Sequence, residues 1–179
     1  MNNVFNSQNN EKVINIGVNQ APIIFNSQIR TPSNVITPHG FTGRNTELAE
    51  LQKLKNEGNY ILVLHGIGGI GKTELVRKFI QDIAAEFESH IEINMLGMSD
   101  DCLTSENSML QIVRMFDPEF KDLTNLKSAF IQFLNQQKTI LFLDNVRDKE
   151  QVEPLNITNA LLLVTEENIL FCTAEKVYQ

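Results

Sequence analysis

Eight consecutive residues carry the groups that can close around a phosphate chain. Four are glycines, whose missing Cβ lets main-chain N–H groups approach phosphate oxygens. The last two supply an ammonium for the outer phosphates and a hydroxyl ligand for Mg²⁺. In order, the residues are Gly66, Ile67, Gly68, Gly69, Ile70, Gly71, Lys72 and Thr73. They fit the pattern G-x-x-x-x-G-K-[ST] at every fixed position, so the sequence predicts a P-loop that binds a nucleotide.

A carboxylate later in the chain is the natural partner of this loop. Asp144 closes the apolar run 139–143, and ligands of a parallel sheet lie beyond the carboxyl ends of its strands. An acid there holds Mg²⁺ directly or through water, so Thr73 and Asp144 are the predicted metal ligands. A turn residue at a strand end is the alternative role for Asp144. Its neighbour Asn145 is an amide that cannot act as a general base, so we expect weak hydrolysis or none.

Thr165 ends the last predicted strand at the same edge of the sheet. Its hydroxyl, or a cation after it, could contact a terminal phosphate. The residues that follow are Glu166 and Glu167, and two carboxylates beside a triphosphate would repel it. This negative charge is a second reason to expect inefficient hydrolysis.

Short apolar runs alternate with helical periods around these residues. The predicted strands are Tyr60–Leu64, Ile91–Leu96, Thr139–Asp144 and Ala160–Thr165, and the predicted helices are Asn45–Glu57, Glu74–Glu88, Ser105–Phe116 and Leu123–Leu134. We expect Asn45 to be the N-cap of the first helix and Gly58 to stop it. The alternation predicts an α/β fold of three layers, with a parallel sheet flanked by helices on both faces.

The first 38 residues differ in composition from the rest of the chain. They are rich in Asn, Gln and Ser, and the run Val-Phe-Asn-Ser-Gln at 4–8 recurs as Ile-Phe-Asn-Ser-Gln at 24–28. Polar segments with alternating β-branched residues suit strand stacking, and a flexible leader is the alternative. We therefore predict three parts: a disordered or β-prone leader (1–38), a nucleotide-binding domain (39–165), and an atypical C-terminal end (166–179) that we expect to be truncated.

Composition excludes several classes of protein. The chain has 179 residues and a formal net charge of −7, so we expect no direct binding to nucleic acid. Its longest apolar runs are about five residues, which predicts neither a signal peptide nor a membrane span. The two cysteines, Cys102 and Cys172, lack paired spacing, and reduced thiols in a cytoplasmic protein are the expectation.

Three segments together resemble the NB-ARC branch of the STAND signalling NTPases. They are Phe-Thr-Gly-Arg-Asn-Thr-Glu-Leu at 41–48, the loop at 66–73, and Leu-Phe-Leu-Asp-Asn-Val-Arg-Asp at 141–148. Within that branch, the chain looks like bacterial proteins that carry C-terminal tetratricopeptide repeats. The resemblance covers about residues 40 to 165 and none of the leader.

The resemblance implies a function and a set of ligands. Gly43 and Arg44 are expected to touch the nucleotide from its adenine side. ADP is expected in the resting state, and its exchange for ATP, with Mg²⁺, is expected to drive assembly with further copies or with a signalling partner protein. The family usually has an arginine where this chain has Glu167. Without the winged-helix and repeat regions of the family, we expect weak binding and poor switching.

Three functions stay open at this point. The first is an ATP/ADP-binding module of an NB-ARC switch. The second is an active P-loop ATPase or small-molecule kinase, although a GTPase is disfavoured because the chain lacks an Asn-Lys-x-Asp motif. The third is an interaction protein whose leader drives self-assembly and whose nucleotide is incidental.

Overall fold

The computed structural model describes residues 40–157 and 159–166, and before them the backbone of three short strands. In chain order the strands and helices are β1 (Lys12–Val13), β2 (Ile24–Phe25), β3 (Gln28–Arg30), α1 (Asn45–Asn56), β4 (Ile61–His65), α2 (Lys72–Ile83), β5 (Ser89–Asn94), α3 (Ser105–Phe116), α4 (Leu126–Asn135), β6 (Thr139–Val146) and β7 (Ala160–Glu166). The other leader residues and their five-residue repeat lie outside the described residues, as do Glu167, Cys172 and the rest of the C-terminal end.

The main sheet has five strands in the order β3-β5-β6-β7-β4. Its last four strands are parallel, as predicted from their apolar runs. The edge strand β3 departs from the prediction, because it is antiparallel and comes from the segment that we assigned to the leader. Strand β7 lies between β4, which leads into the loop, and β6, which carries Asp144. This order decides which side chains meet at the site.

Helices cover both faces of the sheet, which confirms the three-layer prediction. On one face, α1 and α2 pack on one half of the core, and all five apolar residues on the inner stripe of α2 are buried: Leu75, Val76, Phe79, Ile80 and Ile83. On the other face, α3 and α4 pack through residues such as Ile112 and Phe130, which are fully buried. Ile131, on the same helix as Phe130, is 36% exposed. In the described part of the chain, no helix has the length and hydropathy to cross a bilayer.

The first helix begins differently from the prediction. Asn45 is its first residue and not its N-cap. Arg44 holds the N-cap position in a left-handed conformation with φ 55°, without a side-chain capping bond, and its carbonyl accepts from Leu48 N. Gly58, with φ 87°, follows the end of the helix as predicted.

Strand β6 continues beyond Asp144, where we predicted its end. The pairing with β7 is irregular between Leu143 and Val146, because Asn145 adopts a left-handed conformation with φ 58°. Gly97 packs directly on this corner, and its N–H donates to the Asn145 carbonyl at 2.8 Å. A Cβ on Gly97 would lie 2.5 Å from that carbonyl oxygen and 2.8 Å from Arg147 N, so only glycine fits there.

We expect Gly97→Ala to destabilise the fold. The added methyl group meets backbone atoms that cannot rotate away, and overpacking of this kind costs about 1–3 kcal/mol. Urea denaturation followed by circular dichroism measures the free energy of unfolding.

Gly58→Ala is the matched control, because a Cβ on Gly58 meets no atom within 4 Å. We expect Gly58→Ala to lower the free energy of unfolding by only about 1 kcal/mol, because its one cost is the left-handed backbone conformation of residue 58. If Gly97→Ala lowers the free energy of unfolding by no more than Gly58→Ala does, Gly97 does not pack against residues 145–147 as described.

Candidate functional site

The glycine loop connects the end of β4 to the start of α2. Gly69 and Gly71 have φ of 76° and 88°, which residues with a Cβ rarely adopt. Gly71 is the N-cap of α2 and offers no side chain to its first turn. The N–H groups of that turn, with the positive end of the helix dipole, therefore suit an anion. Ile67 and Ile70 are 74% and 46% exposed, so only their backbone fits the predicted role.

The Lys72 ammonium lies inside the loop. Its Nζ donates to the carbonyl of Gly66 at 2.6 Å and to that of Ile67 at 3.0 Å. These two bonds fix a positive charge against the backbone of the predicted phosphate cradle. A Cβ added to Gly66 would lie 3.7 Å from the Lys72 side chain, which is an ordinary van der Waals distance.

Three side chains from three elements meet at one carboxylate oxygen. Oδ1 of Asp144 accepts from the Thr73 hydroxyl at 2.8 Å and from the Thr165 hydroxyl at 2.5 Å. Thr73 lies at the start of α2, Asp144 on β6 and Thr165 near the end of β7. The structure therefore brings together the two predicted metal ligands and the predicted strand-end hydroxyl, although they are up to 92 positions apart in the sequence (165 minus 73).

The Thr165 hydroxyl is engaged within the protein, and its predicted contact with a terminal phosphate stays a prediction. A hydroxyl has a single proton, and that of Thr165 goes to Asp144. Its oxygen also accepts from the N–H of Asn145 at 2.9 Å. Because Thr165 is 1% exposed and its proton is committed, the hydroxyl can donate to a terminal phosphate only after it leaves Asp144.

A cleft of about 340 Å³ opens beside these contacts. It includes four residues that we did not select as nucleotide-binding: Asn94, Met98, Asn145 and Glu166. The other lining residues are Gly69, Gly71, Lys72, Thr73, Asp144 and Thr165. Asn94 ends β5 at the same edge as Asp144, so the strand-end argument could have found it. Met98 lies in the loop beyond β5 and gave no signal in the sequence.

Gly43 and Arg44 lie beside the loop and outside this cleft lining. The Arg44 guanidinium donates to the carbonyl of Ile70. Gly43 and Arg44 both have positive φ, 80° and 55°, and this turn brings the guanidinium to the loop. The predicted adenine contact of the two residues stays a prediction.

Glu166 is the other charged group at this edge that the sequence draws attention to. Its side chain is 1% exposed, and its Oε1 lies 3.7 Å from Nδ1 of His65, beyond hydrogen-bond distance. Its Oε2 has no hydrogen-bond partner among the described residues. Burial raises the pKa of Glu166 to about 7. Burial therefore favours the neutral acid here, where we expected a full negative charge.

The residues present fit both predicted ligands of the site. Hydroxyl and carboxylate oxygens are the ligands that Mg²⁺ prefers, and those of Thr73 and Asp144 lie 2.8 Å apart. The loop amides and the Lys72 ammonium are the donors that a phosphate chain needs.

The comparison with known families covers most of the chain. The sequence model of the NB-ARC domain matches residues 44–174. The match includes the loop, Asp144 and Thr165, and it runs past residue 165, where we predicted the domain to end. A search of curated proteins found no match.

Solved structures show the fold. Cdc6p from Pyrobaculum aerophilum is similar over 80% of this chain and 46% of its own, with 15% identity and a TM-score of 0.50. Katanin covers 78% of this chain and 49% of its own, with 16% identity and a TM-score of 0.45. This chain thus spans less than half the length of either structure. At this identity the similarity to Cdc6p supports an α/β P-loop NTPase fold and nothing finer.

We expect Glu166→Gln to change how stability depends on pH. Because burial raises the pKa of Glu166 to about 7, the folded chain holds this proton more tightly than the unfolded chain. Folding is therefore penalised as the pH rises from about 4.5 to about 7. A glutamine does not ionise, so the variant does not lose this stability. Near pH 8 its free energy of unfolding should exceed that of the unmodified chain by up to about 3 kcal/mol.

Urea denaturation near pH 4 and near pH 8 measures this effect. Below the ordinary pKa of a glutamate, both states are protonated and the pH-dependent gain should disappear. Glu119→Gln is the control, because Glu119 is exposed, and we expect no pH-dependent gain. A gain from Glu166→Gln that is equal at both pH values would contradict the raised pKa.

Proposed function

Because the chain belongs to the NB-ARC domain family, we propose that it is the ATP/ADP-binding module of a STAND-type signalling switch. The observation that carries the proposal is the meeting of Thr73, Asp144 and Thr165 at the mouth of the glycine loop. This contact needs the loop, its helix and two further strands in one register. A glycine-rich turn without a nucleotide role would not require it.

Each group at the site has a role in this proposal. The loop amides and Lys72 would bind the phosphates, and Thr73 and Asp144 would hold Mg²⁺. The metal would neutralise phosphate charge and link the nucleotide to β6. Arg44, which donates to the Ile70 carbonyl, would connect the start of α1 to the loop. We propose that the module is cytoplasmic and acts through further copies or a signalling partner.

Weak hydrolysis, or none, is part of the proposal. Asn145 follows Asp144 and lines the cleft. Its side-chain amide can hydrogen-bond a water molecule and cannot take its proton near neutral pH. Its backbone is also committed, since its N–H donates to Thr165 and its carbonyl accepts from Gly97. The position after Asp144 therefore supplies no base to activate water.

We expect Lys72→Ala to abolish stabilisation by nucleotide. Ligand at about 100 times its Kd stabilises a folded protein by about 2.7 kcal/mol, which raises Tm by about 5–10 °C for a chain of this size. Thermal unfolding with and without ADP and Mg²⁺ measures the shift. Each protein is compared with its own ligand-free Tm, because the substitution also removes two hydrogen bonds to the loop.

Lys78→Ala is the matched control for this experiment. Lys78 is on the same helix and forms a surface ion pair with Asp82, outside the cleft lining. This variant should keep the full shift on addition of ADP. A full shift in Lys72→Ala would defeat the assignment of the loop.

We expect the unmodified chain to release little phosphate from ATP and Mg²⁺. Without a general base at Asn145, its steady rate should equal that of Lys72→Ala within error. A coupled phosphate assay measures the rate. Sustained release that depends on Lys72 would favour the alternative of an active ATPase and would contradict this part of the proposal.

A further inference from the structure

Asn94 is a polar residue of the cleft that has no role in the proposed function. It is the last residue of β5, it is exposed, and it lines the cleft together with Asp144. In the parallel ladder of β5 and β6, Asn94 and Asp144 are register partners. Such partners lie about 5 Å apart and turn their side chains to the same face of the sheet. Asn94 therefore extends to the face on which Asp144 meets Thr73.

The side-chain amide of Asn94 is held in one orientation. Its Oδ1 accepts from the N–H of Leu96 at 2.9 Å. A main-chain N–H can donate to the oxygen of an amide and not to its NH₂ group, so this contact identifies the two ends of the side chain. The NH₂ group carries two hydrogens and accepts none. The group that Asn94 can offer to a ligand is therefore an uncharged hydrogen-bond donor.

Most other side-chain donors of the cleft are engaged within the protein. The two threonine hydroxyls of the lining donate to Asp144, and the Lys72 ammonium donates to two carbonyls of the glycine loop. The remaining lining residues that can donate at any pH are Asn94 and Asn145. Of these two amides, that of Asn94 is fixed by a main-chain hydrogen bond in the part of the chain that the structure describes.

An uncharged donor at this position suits a phosphate oxygen better than the metal. Mg²⁺ takes oxygen ligands, and a water bound to it donates hydrogens, so an NH₂ group satisfies neither. Phosphate oxygens accept hydrogen bonds, and the γ-phosphate of a nucleotide shares Mg²⁺ with the β-phosphate. With Mg²⁺ held by Asp144, the γ-phosphate would lie beside the end of the neighbouring strand, β5.

We propose that Asn94 is a further nucleotide-binding residue, whose side-chain NH₂ group donates a hydrogen bond to the terminal phosphate of ATP. The inference rests on the proposed function. It adds to the site a contact from β5, which supplies none of the residues that the P-loop pattern or the strand-end carboxylate predicted.

Isothermal titration of ATP and of ADP, each with Mg²⁺, tests the proposal in the unmodified chain and in Asn94→Asp. Aspartate keeps an oxygen that can accept from Leu96 N and replaces the NH₂ group with a second oxygen, which cannot donate. Because a hydrogen bond to a charged phosphate is lost, the ratio of the ATP Kd to the ADP Kd should rise by about tenfold or more. The rise should come from weaker ATP binding.

Two further variants separate the lost donor from the added charge. Asn94→Ala removes the donor without adding a charge, and its ratio should also rise by about tenfold. Asn135→Asp makes the same chemical change as Asn94→Asp at an exposed residue that ends α4, outside the cleft lining. This control should leave the ratio unchanged.

The outcomes distinguish this inference from the function on which it rests. If both nucleotides bind and neither substitution of Asn94 changes the ratio, Asn94 does not contact the terminal phosphate and nucleotide binding stands. An equal loss of affinity for ATP and ADP would also overturn the contact. If the unmodified chain binds neither nucleotide, the proposed function itself fails. Should Asn94→Asp not fold, the ratio measured for Asn94→Ala decides.

Discussion

The site depends on one carboxylate oxygen that two hydroxyls share. Asp144 Oδ1 accepts from Thr73 at 2.8 Å and from Thr165 at 2.5 Å. Hydrogen bonds to a charged acceptor contribute about 1.5–3 kcal/mol each, and here they join the loop helix to two neighbouring strands. The bonds form only if β7 lies between β4 and β6. The strand order therefore determines whether the side chains of the candidate site can meet.

The corner after Asp144 is supported from outside the site. Gln151 is 3% exposed. Its Nε2 donates to the Leu103 carbonyl at 2.6 Å and to the Met95 carbonyl at 3.3 Å, and its Oε1 accepts from Arg147 N at 2.7 Å. One buried amide thus holds the loop after β5 against the segment after β6. A buried polar group that is satisfied in this way fixes a single arrangement.

Sequence reasoning predicted what depends on local order along the chain. The loop, the four parallel strands and the inner stripe of α2 follow from patterns within about 15 residues, because helical and strand periods are local. The bond between Thr165 and Asp144 joins residues 21 positions apart, and it depends on which strands are neighbours. The N-cap at Arg44 was missed for the same kind of reason, since a contact with Ile70, 26 positions away, accompanies this conformation. The burial of Glu166 also depends on how the strands assemble into the sheet, so local patterns could not predict it.

Backbone strain in the described residues lies at this edge of the sheet. The non-glycine residues with positive φ are Arg44, Leu96 and Asn145, and each such conformation costs about 1 kcal/mol or more. Each has a partner that holds it: Arg44 donates to the loop, the N–H of Leu96 donates to the Asn94 side chain at 2.9 Å, and Asn145 donates to Thr165. Those partners belong to the loop or line the cleft. The strained backbone is therefore held in place by the same residues that form the candidate site.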